Sequence, residues 1–241
     1  SICIGASAQL SGTGAATYTW SPANDLSCTT CANPVATPST TTTYTLTGTD
    51  VNGCSDTAQV TVTVNQLPAI SAGVDQSICV GSTASLTATG GATYLWTPAT
   101  DLSCTTCSNP AATPATSTVY TVTGTDLNGC VNTDQLVVTV NPLPVVDAGQ
   151  DQTVCNGTTA QLLATGASTY TWTPATGLSC TTCDNPAASP NTTTTYTVTG
   201  TDINGCVDTN QVTIIVNPLP TISAGASQAY CIGGSAQLQA S

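Results

Sequence analysis

The stretch TTTYTVTGTDINGCVDTNQVTIIV, residues 193–216, decides the fold. Residues 193–199 are rich in threonine around Tyr196, and β-branched and aromatic residues favour strands. Two residues further on, the segment Asp202-Ile203-Asn204-Gly205-Cys206 contains Asn-Gly. Asn-Gly is the strongest short signal for a hairpin turn, because both residues tolerate positive φ. A second strand then returns to Val216. The stretch therefore predicts a β-hairpin.

The hairpin belongs to a repeat. The tryptophans Trp20, Trp96 and Trp172 are 76 residues apart, and the cysteines follow the same step in four series: Cys3, Cys79, Cys155 and Cys231; Cys28, Cys104 and Cys180; Cys31, Cys107 and Cys183; Cys54, Cys130 and Cys206. A fixed period of this length indicates one folding unit copied in tandem. We expect a first repeat at 1–65 that lacks its opening strand, a second at 66–141, a third at 142–217, the start of a fourth at 218–241, and a longer parent protein.

The charge composition excludes several functions. The chain has no Lys, Arg or His, and its twelve acidic residues give a net charge of −12. Without cationic side chains, binding to nucleic acid phosphates is excluded and attraction to anionic membranes is unexpected. Most general bases and oxyanion-stabilising groups are missing, so we predict no enzyme and no cofactor. No apolar run is long enough to span a membrane.

The third repeat shows the strand pattern of the unit. We predict strands near 145–146, at 160–164, at 170–172 and in the two arms of the hairpin. We also predict a bend at Cys155 and a crossing loop at 177–190 that holds up to one short strand. Helical periodicity is absent, and a tryptophan on the third strand fits a sandwich core. The fold class predicted is all-β: tandem immunoglobulin-like antiparallel β-sandwich domains arranged as a rod.

The cysteines predict a disulfide framework. Regularly recurring cysteines in a small β-rich unit are typical of an oxidising compartment. A Cys-x-x-Cys pair could also supply half a zinc site, but the chain has no histidine and the other cysteines are distant in sequence. We therefore predict local disulfides between Cys28 and Cys31, Cys104 and Cys107, and Cys180 and Cys183.

The remaining cysteines are predicted to join neighbouring repeats. In a sandwich, the first bend lies at the pole facing the next domain, and the hairpin lies at the pole facing the previous one. The predicted disulfides are Cys3–Cys130 and Cys79–Cys206, with pairing inside a repeat, Cys79–Cys130, as the alternative. Cys54, Cys155 and Cys231 belong to the same series and are predicted to be disulfide cysteines as well.

Two further groups have alternative interpretations. Asp50, Asp126 and Asp202 recur before Asn-Gly, where carboxylates suit either calcium or a hydrogen bond that supports the turn; we favour the turn. The same-face aromatic pairs could stack on a sugar or belong to the core, and we favour the core: Tyr18 with Trp20, Tyr94 with Trp96, and Tyr170 with Trp172.

The motifs of the third repeat are similar to those of a known group. The strings at 170–174, 178–183, 195–202 and 204–206 resemble the Ig-like and PKD-like repeats of large Bacteroidota surface proteins, among them gliding and adhesion proteins exported by type IX secretion. The paired carboxylates of PKD domains do not follow the tryptophan, so the Ig-like form fits better. The resemblance implies an extracellular bacterial surface protein whose repeats serve as spacers.

The resemblance also bears on modification. Asp56-Thr57-Ala58 matches the short acceptor pattern for O-glycosylation in that bacterial group, so Thr57 is a predicted glycosylation site. Asn156-Gly157-Thr158 and Asn191-Thr192-Thr193 are N-glycosylation sequons.

We expect a structural function: an extracellular stalk or filament whose partners are neighbouring repeats or copies of itself. The alternative is an array that binds glycans or a surface, but the repeats are nearly alike even in their loops, which favours architecture. The opening strand missing from the first repeat is present at 218–241. This leaves two interpretations open, head-to-tail strand exchange between chains or truncation of a longer chain.

Overall fold

The computed structural model describes residues 1–238, and all regular structure in that part of the chain is β-strand. In chain order the strands are β1 (Ile2–Cys3), β2 (Ala8–Gln9), β3 (Thr17–Ser21), β4 (Val35–Ala36), β5 (Thr42–Thr49), β6 (Ser55–Val62), β7 (Val64–Asn65), β8 (Gln76–Cys79), β9 (Ala84–Ser85), β10 (Thr93–Thr97), β11 (Ala111–Ala112), β12 (Thr118–Thr125), β13 (Val131–Asn141), β14 (Gln152–Cys155), β15 (Ala160–Gln161), β16 (Thr169–Thr173), β17 (Ala187–Ala188), β18 (Thr194–Thr201) and β19 (Val207–Asn217).

The chain divides into two compact units, Ser1–Val140 and Asn141–Ser241. The first unit holds two separate hydrophobic cores, one within residues 1–65 and one within 66–141, and the second unit holds one core. The predicted repeat boundaries at 65/66, 141/142 and 217/218 remain predictions. Residues 218–238 contain no strand.

The second unit shows the sandwich in full. One sheet has the order β14-β19-β18-β16, and the other pairs β15 with β17. Their inner faces enclose a core that includes Trp172, Tyr196, Val198, Val212 and Ile214. Because side chains alternate between the faces of a strand, Tyr196, Val198 and Gly200 of β18 turn inward while the intervening threonines turn outward. The abundant threonine therefore forms the outer face and the sparse aromatic residues form the core.

The hairpin at 193–216 is present. β18 pairs antiparallel with β19, from Thr194 opposite Ile214 to Thr201 opposite Val207. Gly205 in the connecting turn has φ +81°, a conformation that glycine adopts without steric cost.

Three details of the predicted unit are wrong. No strand forms near 145–146, where only a single bridge joins Asp147 to Thr165. Cys155 lies at the end of a strand, β14, and not in a bend. That strand runs parallel to β19, with Gln152 opposite Ile214, so the sandwich is not purely antiparallel. No hairpin joins β14 to β19, and the chain enters the sheet beside its last strand.

The first unit contains the same arrangement twice. Its second half has a four-stranded sheet of order β10-β12-β13-β8 and the pair β11-β9. Its first half has the sheet β3-β5-β6 and the pairs β1-β7 and β2-β4. In the first half the last strand is interrupted at Thr63, so that Ile2 and Cys3 pair in parallel with Val64 and Asn65.

The strand order and the buried tryptophan define the fold as tandem immunoglobulin-like β-sandwiches. The tryptophan lies on the third main strand, at an edge of the larger sheet and beneath the smaller sheet, as in that fold. The disulfide that commonly joins the two sheets of immunoglobulin domains is absent from the described residues, because the cysteines lie in end loops and strand ends. Among residues 1–238, no helix is long and apolar enough to cross a membrane.

Candidate functional site

The candidate site is the disulfide joint between the first two repeats, in the first unit. Cys3 at the end of β1 is bonded to Cys130, which follows the turn between β12 and β13, with the two Cα atoms 5.5 Å apart. The two cysteines are 127 positions apart in sequence, so this covalent link joins two sandwiches that have separate cores. The alternative pairing of Cys79 with Cys130 is not found, because Cys130 is bonded to Cys3.

The turn that carries Cys130 is held by an aspartate. One carboxylate oxygen of Asp126, Oδ1, accepts hydrogen bonds from the backbone N–H groups of Asn128 and Cys130, both at 2.8 Å, and the Asp126 N–H donates to the Cys130 carbonyl at 2.9 Å. The N–H of Cys130, and then the Asn128 side chain, lower the pKa of Asp126. The carboxylate thus fixes the loop that presents the cysteine.

The same turn recurs in the other repeats. Asp50 binds the N–H groups of Asn52 and Cys54 at 2.8 and 2.9 Å, and Asp202 binds those of Asn204 and Cys206 at 2.8 Å. The backbone N–H of Cys54 lowers the pKa of Asp50. These carboxylates have the turn-supporting role that the sequence favoured. Within the described part of the chain, no three cysteine or acidic side chains group together as metal ligands would.

The Cys-x-x-Cys loops are bonded locally and are anchored to the core tryptophans. The structure has the Cys28–Cys31, Cys104–Cys107 and Cys180–Cys183 disulfides. The indole Nε1–H of Trp96 donates to the carbonyl of Cys107 at 3.0 Å, and its backbone N–H donates to the Thr105 carbonyl at 2.7 Å. Trp20 and Trp172 make the same pair of bonds. This anchor was not predicted from the sequence, although each tryptophan lies a fixed eleven residues before its cysteine.

The aromatic pairs belong to the interior. The three tryptophans are 0–3% exposed, which rules out a sugar-stacking platform at their rings. The hydroxyl of Tyr94 donates to the Gly91 carbonyl at 2.9 Å and that of Tyr170 to the Ala167 carbonyl at 2.9 Å, closing the turn that precedes each strand. These residues stabilise each sandwich.

Three predicted disulfide cysteines are free. Cys54, Cys155 and Cys231 are exposed thiols in the structure, and their assignment to disulfides is wrong here. The Cys3–Cys130 bond shows why, because it forms between the facing poles of two adjacent repeats. Among the described residues, no such pole lies opposite Cys54, Cys155 or Cys231. The predicted Cys79–Cys206 bond would connect the two units and stays a prediction.

The predicted modification sites are accessible. Thr57 lies on β6 with an exposed side chain, opposite Thr47 of β5. Asn156 and Asn191 are also exposed. Glycosylation of any of them remains a prediction.

The candidate site and fold thus define tandem immunoglobulin-like repeats joined by a disulfide. No protein-family model matches the chain, and no curated protein does. Among solved structures, a three-domain tandem from titin is 13% identical with a TM-score of 0.37, covering 90% of this chain and 95% of that one. Sidekick-1 immunoglobulin domains 1–4 are 13% identical with a TM-score of 0.35, covering 89% and 72%. The insect immune protein hemolin is 13% identical with a TM-score of 0.34, covering 90% and 74%.

With identities near 13% and TM-scores below 0.5, these similarities carry no argument about what the chain does. The fold assignment rests on the strand order and pairing described above, and the function must be argued from the joint.

Proposed function

We propose that this chain forms a stiff extracellular stalk or filament of disulfide-linked tandem Ig-like repeats at a bacterial surface, and that it is not an enzyme. The observation that carries the proposal is the Cys3–Cys130 bond, which joins the poles of two sandwiches with separate cores. A covalent bond across a domain joint restricts bending there, which is what a stalk requires.

Other features support the same function. Structural disulfides persist in oxidising, extracellular compartments, and a surface without lysine or arginine has no site for trypsin-like proteases. The bacterial origin rests on the motif resemblance alone. Glycans on Thr57 would solvate a threonine-rich face that carries few charges.

The joint can be tested by pulling single molecules from both termini until the chain is fully extended. In the oxidised protein, the Cys3–Cys130 bond removes 127 residues from the pulled path. At about 3.4 Å per residue, reduction should lengthen the extended chain by at least roughly 430 Å. The matched control is the double variant Cys28→Ser/Cys31→Ser, which removes a disulfide that spans only three positions and should keep the full reductive lengthening.

Other lengths would count against the proposal. An increase of only roughly 170 Å on reduction would correspond to a bond between Cys79 and Cys130. That bond lies inside one repeat, so the repeats would not be covalently linked to each other. No gain would mean that the thiols are free in the folded protein.

A further inference from the structure

The outer face of the larger sheet is built in the same way in all three repeats. Side chains alternate between the two faces of a strand, and in the second repeat the odd-numbered residues of β10, β12 and β13 lie on the side away from the core. Because the repeat step of 76 residues is even, the odd-numbered residues of the equivalent strands also face outward in the first and third repeats. We call these residues the outer face of each repeat.

The outer faces carry no charge. All charged side chains of the chain are acidic, and none of them is an odd-numbered residue of these strands. The aspartates that do lie on the strands, Asp56, Asp134 and Asp208, are even-numbered. The outer faces are therefore uncharged areas on a protein whose net charge is −12.

One cross-strand pair on the outer face distinguishes the second repeat. In the first repeat, Thr43 and Thr61 lie opposite each other and their hydroxyls are hydrogen-bonded at 2.8 Å. The equivalent threonine pair of the third repeat is bonded in the same way at 3.0 Å. In the second repeat the pair is Val119 and Val137, directly opposite each other on β12 and β13. An aliphatic pair thus replaces a pair of hydrogen-bonded hydroxyls.

A third aliphatic residue lies on the neighbouring strand. Leu95 of β10 stands where the first and third repeats have Thr19 and Thr171. Leu95 is 48% exposed and Val119 is 49% exposed, while Val137 is half-buried. We call Leu95, Val119 and Val137 the aliphatic face of the second repeat.

The polar groups beside the aliphatic face are bonded to each other. Thr121 and Gln135 lie opposite each other in the next row of the sheet, and the Gln135 side-chain amide donates to the Thr121 hydroxyl at 3.0 Å. A hydroxyl that already has a partner within its own sheet loses less on dehydration than an unpaired one. A second apolar surface could therefore cover this area without breaking the hydrogen bond.

The chemistry of the aliphatic face favours a second copy of the chain as its partner. Aspartates on two copies repel each other over a distance of about 8 Å at physiological salt, but contact between outer faces brings no carboxylates together. A cationic partner would find no opposite charge there. A sugar would find no ring to stack on, since the aromatic residues of this sheet lie in or against the core: Tyr94, Trp96 and Tyr120.

We propose that the aliphatic face of one copy packs on the aliphatic face of a second copy about a two-fold axis, so that two stalks pair side by side. Sheets commonly pack face to face at about 10 Å, and a two-fold axis places the same surface on both sides of the contact. The inference goes beyond the proposed stalk, because it concerns contacts between chains and not the joint within one chain.

The size of the contact predicts its strength. Three strands about 4.8 Å apart, with about seven residues of about 3.3 Å each, give a projected area of roughly 300 Å² per copy. A stable interface buries about 800 Å² per partner. A single contact should therefore give a weak, reversible dimer, and firm pairing of stalks would need several contacts along their length.

The test is sedimentation equilibrium of the full chain, with the free thiols alkylated under non-reducing conditions. Protein concentrations should reach about 1 mM, because a contact of this size is weak. The weight-average mass of the wild type should rise from 23.9 kDa toward twice that value. The triple variant Leu95→Thr/Val119→Thr/Val137→Thr should stay monomeric. The third repeat has threonine at all three equivalent positions, so these substitutions suit the fold.

The matched control makes the same kind of change away from the aliphatic face. Val51→Thr/Leu127→Thr/Ile203→Thr replaces three aliphatic residues of the hairpin turns, which are 88%, 93% and 90% exposed. This variant should dimerise as the wild type does. A control that stays monomeric would place the contact at the hairpin turns and overturn the inference.

The reverse variant tests whether the aliphatic face is sufficient. Thr171→Leu/Thr195→Val/Thr213→Val gives the third repeat the same three residues that the second repeat has. A chain with two aliphatic faces should have a higher weight-average mass than the wild type at every concentration. A mass equal to that of the wild type would overturn the inference, whether or not the first triple variant folds.

Salt and sugar provide two further checks on the wild type. Raising the ionic strength from about 0.05 M to about 0.5 M should strengthen the dimer, because it screens repulsion between aspartates. Cellohexaose, a neutral sugar, should leave the dimer intact. A wild type that is monomeric at about 1 mM, a dimer that salt weakens, or a dimer that the sugar dissociates would each overturn the inference. The pulling experiment measures a bond within one chain, so the stalk and the pairing of stalks can fail separately.

Discussion

The first and second repeats have the same sequence pattern but differ in how completely each core is covered. In the second repeat, ten buried residues form the core, whereas in the first only five are buried. The difference is concentrated where residues 66–76, the opening segment of the second repeat, cover the sandwich through contacts such as that of Ile70 with Gly124. Val122 is buried there, but its counterpart Leu46 in the first repeat is only half-buried. The opening segment is thus part of the hydrophobic core, although in the second and third repeats it forms only one bridge to the sandwich.

The cysteines show the same contrast. Cys130 is buried and bonded to Cys3, while Cys54, held in the same kind of turn, is an exposed thiol. The aspartate-held turn positions the cysteine. Whether the cysteine forms a disulfide depends on the adjacent repeat, which supplies the second cysteine. Completeness of a repeat in this chain is therefore a property of its neighbours as well as of its own sequence.

The largest expected effect comes from truncating a core side chain, Leu136, on β13, the last strand of the second repeat. Leu136→Ala should lower the free energy of unfolding of the second repeat by about 2–5 kcal/mol, because it leaves a cavity in a covered core. Val60→Ala, at the equivalent position of the first repeat, should cost less than about 1 kcal/mol, because that side chain is already partly hydrated. Hydrogen exchange of the strand amides measures each repeat separately.

Val119→Ala is the matched control for this comparison. Its side chain is exposed in the second repeat, so its cost should equal that of Val60→Ala. If Val60→Ala proved as destabilising as Leu136→Ala, the surface around Val60 would be covered in solution and the contrast between the repeats would disappear.

Much of the fold and of the disulfide joint could be predicted from the sequence, and part of each could not. Period-two alternation around Tyr196 and the Asn-Gly turn predicted the hairpin, and the 76-residue step predicted the repeats. The Cys3–Cys130 link was predicted from the opposite poles at which the first bend and the hairpin of a sandwich lie. The parallel strand β14 was missed because only one of its four residues, Val154, is a large apolar residue, which is too weak a signal in the sequence to mark a strand. Its position depends on the chain crossing between sheets, which is a tertiary effect.

The free state of Cys54, Cys155 and Cys231 was also beyond the sequence pattern. The step of 76 residues assigned each of them a series, and membership in the series implied a bond. Whether a bond forms depends on which pole lies opposite, and this is a property of three-dimensional neighbours.

A smaller effect is expected from adding a methyl group at Gly124, where Ile70 of the opening segment packs against the sandwich. Gly124→Ala should destabilise the second repeat by about 1–3 kcal/mol, because the new methyl group overlaps Ile70. Combining it with Ile70→Ala removes the overlap, so the double variant should cost less than the sum of the two single changes. Denaturation of the four proteins measures this coupling, and additive costs would show that Ile70 does not pack on Gly124 in solution.

The smallest effect concerns the carboxylate that holds the opening segment. The Ala72 N–H, and then that of Gln135, lower the pKa of Asp134. A folded-state pKa below the unfolded value of about 3.9 means that this stabilisation is present above that pH and is lost as the pH falls through the folded pKa. Amides of residues 70–73 should therefore lose hydrogen-exchange protection in acid before those of β13 do.

Asp134→Ala gives the second repeat the alanine that the first repeat has at position 58. It should cost about 1 kcal/mol at neutral pH and should remove the acid-induced loss of protection at 70–73. Asp134→Asn, which copies Asn210 of the third repeat, should also remove the pH dependence but keep more of the stability, because an amide still reaches the backbone of the segment. Acid sensitivity that persisted in both variants would mean that another carboxylate holds the segment, and then coverage of the core would not depend on Asp134.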